Sequence, residues 1–287
     1  MDTNRKIDLS KNEVFDPKFE EYIKDIIDTV PIRNLMRYPK ENRLLKAYST
    51  FFEIPKNNIA LGFGSSDLLR RLFSLYKNKT IFIPPFEFSL SYTYSKIFNM
   101  KLVPLNKAQV VYLGNPGSFK NTFNSNYILK VIKRGYPILI IDEVYSLYFN
   151  KSYKKEILNS DNVYIVDSVS KTWGMCGFRS GIVVSSSKNI DRLNSLYKGI
   201  NSNSISAEVI PIILQDTLIL KEHIQRILEG KIYLESKIPS IPIEAPYTII
   251  PKYYLTPNIK NNIIYLEFEN KIRISGTTLD VFKKLGI

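Results

Sequence analysis

The chain has 287 residues, a formal net charge of +13 and a hydrophobic fraction of 44%. This length suits one large domain or a large domain with a smaller companion, and the apolar fraction is ordinary for a globular protein. No run of about 18 apolar residues occurs, which excludes an ordinary membrane-spanning helix. The N-terminus lacks the apolar core of a signal peptide, and a lone cysteine excludes an internal disulfide, so we expect a cytoplasmic protein.

The positive charge suggests a rival class of function, a non-catalytic protein that binds nucleic acid through phosphate contacts and base stacking. The lysines, however, are scattered along the chain, and Lys-Lys pairs such as Lys154-Lys155 are short. A solvated basic surface that attracts anionic substrates accounts for the charge more simply. We therefore expect neither nucleic acid nor a membrane among the partners.

Strand and helix patterns alternate from residue 40 to residue 184. Apolar spacing predicts amphipathic helices over Lys40–Phe52 and Ser65–Tyr76. Strands are predicted at about Thr80–Ile83, Lys101–Pro104, Val110–Leu113, Ile138–Ile141, Val163–Val166 and Gly181–Val184. Most segments between these strands are long enough for helical crossovers. The pattern therefore predicts an α/β fold, with a mostly parallel sheet covered by helices on both faces.

The C-terminal third has a different pattern, in which one long helical stretch from Ser206 to about Lys237 precedes several short strands. These strands are predicted at Tyr247–Ile250, Ile263–Phe268 and Ile272–Ser275. We predict an arm over residues 1–35 that joins the small domain, a large α/β domain over residues 36–200, and a small α+β domain over residues 201–287. Ligands should bind in the cleft between the domains.

One lysine follows a buried strand pattern and lies among small hydroxyl side chains. Lys171 is predicted just past the carboxyl end of the strand that finishes at Asp167, at the edge where open α/β sheets bind ligands. A partly desolvated lysine loses its proton more easily, and the neutral amine can form a Schiff base with a carbonyl. Donors suited to one phosphate flank it, at Ser168, Ser170 and Arg179. A surface lysine in a serine-rich loop would give the same short motif.

Upstream, another buried-strand pattern ends in two acids and Tyr145. A carboxylate at Asp142 can pair with a protonated pyridine nitrogen, and the tyrosine hydroxyl can bond a phenolic oxygen on the same ring. The acids could instead cap a helix or bind a metal. A metal site is the weaker alternative, because single residues of histidine and cysteine, His223 and Cys176, leave few nitrogen or sulfur ligands. We expect His223 on the surface of its helix.

Together these segments resemble the fold type I pyridoxal-phosphate aminotransferases of class I and II, in the branch that includes histidinol-phosphate aminotransferase and threonine-phosphate decarboxylase. The ordered matches extend from about Asn12 to Arg273. The resemblance implies that Lys171 forms a Schiff base with pyridoxal 5′-phosphate and serves as general base, while Asp142 and Tyr145 hold the ring. The implied activity moves an amino group between an amino acid or amino phosphate and a 2-oxo acid.

Further motifs of the resemblance imply cofactor contacts on other elements. The stretch Gly62–Leu69 is similar to a family segment in which a helix N-terminus binds the cofactor phosphate, which implies roles for Gly64, Ser65 and Ser66. The stretch Ile83–Phe86 resembles a segment whose aromatic ring stacks on the pyridine ring. This implies Phe86, or else Glu87 or Phe88 if the alignment shifts by one or two residues.

The remaining motifs concern the substrate and a second subunit. Asn115 lies in a shortened Asn-Pro loop, and the resemblance implies that it bonds the phenolic oxygen. Arg273 matches the arginine that pairs with the substrate α-carboxylate. Tyr38 matches a tyrosine that reaches the cofactor phosphate of the neighbouring subunit, which implies a homodimer.

The sequence does not determine which bond of the substrate reacts. A decarboxylase of a phosphorylated amino acid would use the same cofactor site and is the alternative to an aminotransferase. Compared with the family, the chain is shorter, mainly in the C-terminal domain, which implies a smaller or more open substrate pocket or a degenerate protein that has lost turnover.

Overall fold

A computed structural model describes residues 6–85, 87–117, 125–135, 137–243 and 245–287. In chain order the strands are β1 (Ile7–Asp8), β2 (Ile59–Gly62), β3 (Thr80–Phe82), β4 (Lys101–Leu102), β5 (Val110–Gly114), β6 (Ile138–Asp142), β7 (Val163–Ser168), β8 (Gly181–Val184), β9 (Thr248–Pro251), β10 (Ile263–Ile264), β11 (Leu266–Phe268) and β12 (Lys271–Ile274). The helices are α1 (Pro17–Asp28), α2 (Ile32–Leu35), α3 (Glu41–Phe52), α4 (Ser65–Leu75), α5 (Ser89–Ile97), α6 (Ser125–Arg134), α7 (Ser146–Phe149), α8 (Val169–Thr172), α9 (Ser187–Leu196), α10 (Ser204–Ile213), α11 (Thr217–Lys237), α12 (Pro257–Asn262) and α13 (Leu279–Lys284). None of the helices among these residues combines the length and apolar character that a bilayer crossing requires.

Seven strands form the main sheet in the order β2-β8-β7-β6-β5-β3-β4. The strands from β3 to β7 are parallel to their partners, whereas β8 is antiparallel to both β7 and β2. It follows that β2 runs in the same direction as β7, and six of the seven strands end at one edge. The predicted α/β fold with a mostly parallel sheet is confirmed.

Alternate residues of this sheet face two separate hydrophobic cores, as the two-residue period of a strand requires. Val111 and Leu139 face a core that also includes side chains of α1, α3, α6 and α10. Tyr112 and Ile140 face the opposite core, where α4 and α9 pack. Because both faces are covered, β5, β6 and β7 are apolar up to their carboxyl ends, and the site must lie at a sheet edge rather than on a face.

The C-terminal part has its own small sheet and core. Strands β11, β12 and β9 form an antiparallel sheet, and β1 pairs with β10 in parallel, so that Ile7 lies opposite Ile263. Helix α1, in contrast, packs into the core of the main sheet through Phe19 and Ile23. The N-terminal segment thus contacts both sheets. The division at residues 35 and 200 stays a prediction.

The single long helix predicted from Ser206 to Lys237 is wrong in one respect, because the chain forms two helices there. Helix α10 ends at Ile213, and α11 begins at Thr217 after the side chain of Asp216 accepts a hydrogen bond from the Ile219 amide at 3.2 Å. An aspartate competes for backbone amides and therefore favours a helix start over a helix interior. The apolar spacing alone did not reveal this break.

Candidate active site

The polar residues that were predicted for the site lie at the carboxyl-terminal edge of the main sheet. Gly114 at the end of β5 pairs with Asp142 at the end of β6. On the other side, Gly181 at the start of β8 pairs with both Ser168 and Gly62, which end β7 and β2. The register therefore brings the segments after β2, β5, β6 and β7 to one place, as expected for a ligand site of an open α/β sheet.

Lys171 lies in the short helix α8, whose N-cap Ser168 accepts a hydrogen bond from the Ser170 amide at 3.3 Å. Its Nζ atom donates to the backbone oxygen of Lys11 at 2.8 Å. Burial lowers the pKa of Lys171, and the nearby positive charge of Arg273 lowers it further. Both effects increase the fraction of the neutral amine, the form that reacts with a carbonyl.

Asp142 is buried at the end of β6. Its carboxylate accepts hydrogen bonds from the Tyr112 hydroxyl at 3.0 Å and from the Val144 amide at 3.3 Å. Burial raises the pKa of Asp142 to about 6, while the positive charge of Lys171 acts to lower it. Asp142 is therefore mostly ionised at neutral pH, and a cation such as a protonated pyridine nitrogen would stabilise that form further.

Tyr145 and Arg273 belong to one group of side chains in which two aromatic rings meet a guanidinium. The Tyr145 hydroxyl accepts a hydrogen bond from Asn12 Nδ2 at 2.8 Å, and its ring lies 5.9 Å from the ring of Tyr247. The Arg273 guanidinium lies 5.5 Å from the Tyr247 ring centre and donates to the Ser10 backbone oxygen at 3.0 Å. The buried Nε atom of Arg273 has no hydrogen-bond partner among the described residues. A carboxylate placed there would satisfy it.

Groups suited to binding an anion lie at the start of α4. Gly64 has a positive φ of 81° and caps α4 without any side-chain hydrogen bond to its first amides, which include those of Ser65 and Ser66. A Cβ atom at Gly64 would lie 2.8 Å from the Arg179 guanidinium, whose nitrogen also donates to the Phe63 backbone oxygen at 3.1 Å. Free amides, a helix N-terminus and a guanidinium together suit a phosphate group.

A sequence profile of the family "Aminotransferase class I and II" matches residues 121–252. Two similar relatives are histidinol-phosphate aminotransferases. That of Pyrococcus furiosus is 26% identical over 87% of this chain and 80% of its own length, and that of Clostridium novyi is 25% identical over 98% and 82%.

Solved structures of similar fold agree with these matches. The histidinol-phosphate aminotransferase of Sinorhizobium meliloti, solved in complex with pyridoxal-5′-phosphate, has a TM-score of 0.80 at 17% identity and covers 97% of this chain and 88% of its own. The L-threonine-O-3-phosphate decarboxylase of Porphyromonas gingivalis has a TM-score of 0.82 at 13% identity and covers 98% and 97%.

The chain is similar in sequence to class I and II aminotransferases, and its fold is that of the fold type I enzymes. It is an aminotransferase that depends on pyridoxal phosphate. The resemblance inferred from the motifs is therefore confirmed at the level of the family, the fold and the cofactor. The roles assigned to individual residues stay predictions.

Two predicted cofactor contacts of this aminotransferase, at Asn115 and Phe86, need separate comment. Both hydrogen bonds of Asn115 Nδ2 are made within the protein, to Glu143 Oε1 and to the Lys151 backbone oxygen, each at 3.1 Å. The predicted bond to a phenolic oxygen would require this side chain to turn. Phe86 lies outside the described residues. Of its two alternatives, Phe88 packs against the core around α4, and the Glu87 carboxylate lies beside Gly114.

Tyr38 is not brought to the site within the chain. Its side chain is 84% exposed, and it lines a surface cavity of about 730 Å³ formed by residues 34–40 with Ser204 and Glu208. The homodimer would be needed to bring this tyrosine to a cofactor.

The prediction that His223 lies on the surface is wrong. The side chain is 1% exposed, and its Nδ1 atom lies 2.8 Å from Asp16 Oδ2. Its Nε2 atom lies 3.2 Å from the backbone oxygen of Thr172, the residue after Lys171. The ring stacks on Phe19 at 4.2 Å. The partners are distant in sequence, so helical spacing around His223 alone did not reveal them.

Three other residues of the site were missed by sequence analysis, namely Asn12, Tyr112 and Tyr247. Tyr112 occupies a strand position that is apolar by pattern, and only the register of β5 against β6 brings its hydroxyl to Asp142. Asn12 and Tyr247 reach Tyr145 from segments more than 100 residues away. The sequence held one signal that could have identified Asn12 as a site residue, since the family resemblance begins at about this position.

Proposed function

We propose that Lys171 is the residue that binds the cofactor aldehyde in this aminotransferase, as a Schiff base, and that the enzyme moves an amino group between an amino acid or amino phosphate and a 2-oxo acid. One observation carries the proposal: the partly buried Lys171 follows β7 at the strand edge, near the carboxylate of Asp142 and the guanidinium of Arg273. An amine, a carboxylate and a guanidinium near one another are the groups that this chemistry requires.

Lys171 acts as both attachment point and base. Bound pyridoxal phosphate supplies an aldehyde that takes up the substrate amine and a ring that withdraws electrons from the substrate Cα. The neutral Nζ of Lys171 would also be the base that accepts the proton of the substrate Cα. The lowered pKa of Lys171 supports this role because the amine must be unprotonated to accept a proton.

Asp142 would hold the ring nitrogen in its protonated form. The carboxylate is buried and already oriented by Tyr112 and the Val144 amide, so it needs little reorganisation to accept a third hydrogen bond. Tyr145 would donate to the phenolic oxygen, with Asn115 beside it once its amide turns.

The cofactor phosphate would bind at the N-terminus of α4. The predicted donors are Ser65 and Ser66 on one side and Ser168, Ser170 and Arg179 on the other, with Gly64 leaving the space between them. The pairing of Ser168 and Gly62 with the same residue, Gly181, supports a single site built from both groups.

Arg273 would bind the substrate α-carboxylate in a bidentate pair. Its Nε is buried without a partner among the described residues, and the ring of Tyr247 fixes the plane of the guanidinium. A planar fork of two donors matches the two oxygens of a carboxylate, which a lysine could not do.

A homodimer in the cytoplasm is the proposed working form. Ile32, Met36 and Tyr38 are 72%, 81% and 84% exposed and lie close together in sequence, and a concentration of exposed apolar groups favours a protein interface. The single cysteine suits a reducing compartment.

The first test is an absorption spectrum of the protein with pyridoxal phosphate, recorded beside Lys171→Ala and followed by addition of glutamate or phosphorylated amino acids. We expect a visible band that depends on Lys171 and shifts when an amino donor is added, with formation of a 2-oxo acid. Release of carbon dioxide instead would favour the decarboxylase. Absence of the band in the wild-type protein would refute the role of Lys171. Salt-dependent binding of nucleic acid would then support the alternative, a non-catalytic protein that binds nucleic acid.

A further inference from the structure

A buried group of three charged side chains lies directly behind the strand edge. Glu143, Lys154 and Asp167 are 0%, 3% and 4% exposed. Lys154 Nζ lies 2.9 Å from Glu143 Oε2 and 2.8 Å from Asp167 Oδ2. Glu143 follows β6 and Asp167 lies in β7, so one ammonium group connects two neighbouring strands. We call these three residues the buried triad.

The buried triad is a costly way to stabilise a fold. Each ion loses several kcal/mol of hydration on burial, and well-packed apolar residues of similar volume often serve a core as well or better. Burial alone would lower the pKa of Lys154, but the two carboxylates raise it above its ordinary value, so the lysine is charged. Two carboxylates and one ammonium give a formal net charge of −1. Such an arrangement calls for a role other than packing.

The outer atoms of the buried triad contact the site itself. Glu143 Oε1 accepts a hydrogen bond from Asn115 Nδ2 at 3.1 Å. Asp167 Oδ1 accepts one from the Ser168 amide at 2.7 Å. Lys154 is therefore two contacts away from residues predicted to meet opposite ends of the cofactor, the phenolic oxygen and the phosphate.

The segment that carries Lys154 is also fixed to Glu143. The Ser152 hydroxyl donates to Glu143 Oε2 at 2.7 Å, and the Tyr153 amide donates to Glu143 Oε1 at 2.9 Å. The Lys154 ammonium lies 4.8 Å from the centre of the Phe52 ring, which covers it. The lysine thus has a defined position and cannot reach solvent.

We propose that Lys154 is a positioning residue of this aminotransferase, which holds Glu143 and Asp167 together so that Asn115 and Ser168 keep the spacing that the cofactor requires. The inference rests on the proposed cofactor contacts of these two residues. It predicts that Lys154 affects cofactor binding without touching the cofactor.

The test compares three variants of the full chain as apoenzymes titrated with pyridoxal phosphate. Lys154→Met removes the bridge and leaves a net charge of −2 in the buried triad. Lys154→Met combined with Asp167→Asn also lacks the bridge but restores the wild-type charge of −1. Lys154→Arg keeps both the charge and the ability to contact two carboxylates. Lys155→Met, an exposed neighbour whose ammonium pairs with Glu53 on the surface, is the control.

We expect the dissociation constant for pyridoxal phosphate to rise about tenfold or more in Lys154→Met and in the double variant, with a shifted absorption band of the bound cofactor. Lys154→Arg should recover most of the affinity, and the control should match the wild-type protein. Full recovery in the double variant would show that charge balance alone matters and would overturn the proposal.

A second measurement separates positioning from a general loss of stability. Urea unfolding of the apoenzymes reports stability independently of the cofactor. A folded Lys154→Met whose dissociation constant stays within about twofold of wild type would overturn the inference, however much stability it loses. If Lys154→Met fails to fold, the double variant is tested instead, because its buried formal charge equals that of the wild type. A dissociation constant within about twofold of wild type would again overturn the inference. A wild-type protein without a Lys171-dependent band would instead refute the proposed function.

Discussion

The site at the strand edge and the segment around Tyr38 differ in how many of their side-chain contacts a single chain provides. At the edge, Asp142 is 8% exposed and both its oxygens have partners. Around Tyr38, three apolar or aromatic side chains are more than 70% exposed. A polar site can thus be built inside one chain, whereas the exposed segment has apolar surface that only another molecule can cover.

This difference separates two kinds of residue role. Lys171, Asp142 and Arg273 already influence one another in the monomer, so their variants should show their effects whatever the state of assembly. Tyr38 can act on a cofactor only if a second chain brings it there. Four predictions test this division, in order of decreasing effect.

The largest effect is expected for Lys171→Ala. Loss of the amine removes both the attachment point and the base, and amino transfer should fall about 10³-fold or more. The rate of 2-oxo acid formation measures it. The exposed Lys155→Ala should keep the wild-type rate. A Lys171→Ala enzyme that retains a tenth of the activity would show that another base operates.

Asp142→Asn should change the pH dependence of stability in the apoenzyme. Because the pKa of Asp142 is raised from 3.8 to about 6, the folded protein holds a proton that the unfolded chain releases, and wild-type stability falls as pH rises through this window. Asparagine does not titrate. Relative to wild type, the variant should therefore gain about 2 kcal/mol between pH 4 and pH 7.

Urea unfolding at several pH values measures this gain, and bound cofactor should reduce it, since a positive ring nitrogen lowers the pKa of Asp142. A stability difference that does not change with pH would contradict the buried, ionising carboxylate.

Arg273→Lys should weaken substrate binding by about 2 kcal/mol, or roughly 30-fold in KM for the amino donor, because a lysine keeps the charge but loses the bidentate pair. Steady-state kinetics measure KM and kcat separately. Arg134→Lys, at an exposed position of α6, is the matched control. An unchanged KM would assign the carboxylate to another residue.

The smallest effect on the site is expected from the exposed segment. Met36→Glu should convert the proposed dimer to monomers, seen by light scattering, and lower cofactor affinity about tenfold or less, since one hydrogen bond from Tyr38 contributes roughly 1 kcal/mol. Leu218→Glu, at a position on α11 that is 65% exposed, should change neither. A wild-type protein that is already monomeric would refute the role of Tyr38.

Local patterns predicted the main sheet well. Strands β6 and β7 begin where their apolar runs predicted and extend only one or two residues further. These strands are buried on both faces, so their positions before the carboxyl end must be apolar, and that requirement is visible in the sequence. The split between α10 and α11 was missed because a cap at Asp216 overrides a continuous apolar spacing.

The predictions for the site divide in the same way. The sequence by itself determined the family, the positions of Lys171 and Asp142 at strand ends, and the candidate phosphate donors, because these follow from short motifs and strand periodicity. Only the tertiary structure decided that His223 is buried against Asp16, that Asn12 reaches Tyr145, and that Lys154 joins Glu143 to Asp167. These contacts depend on how separate segments pack, and local periodicity carries no information about which distant residues will meet.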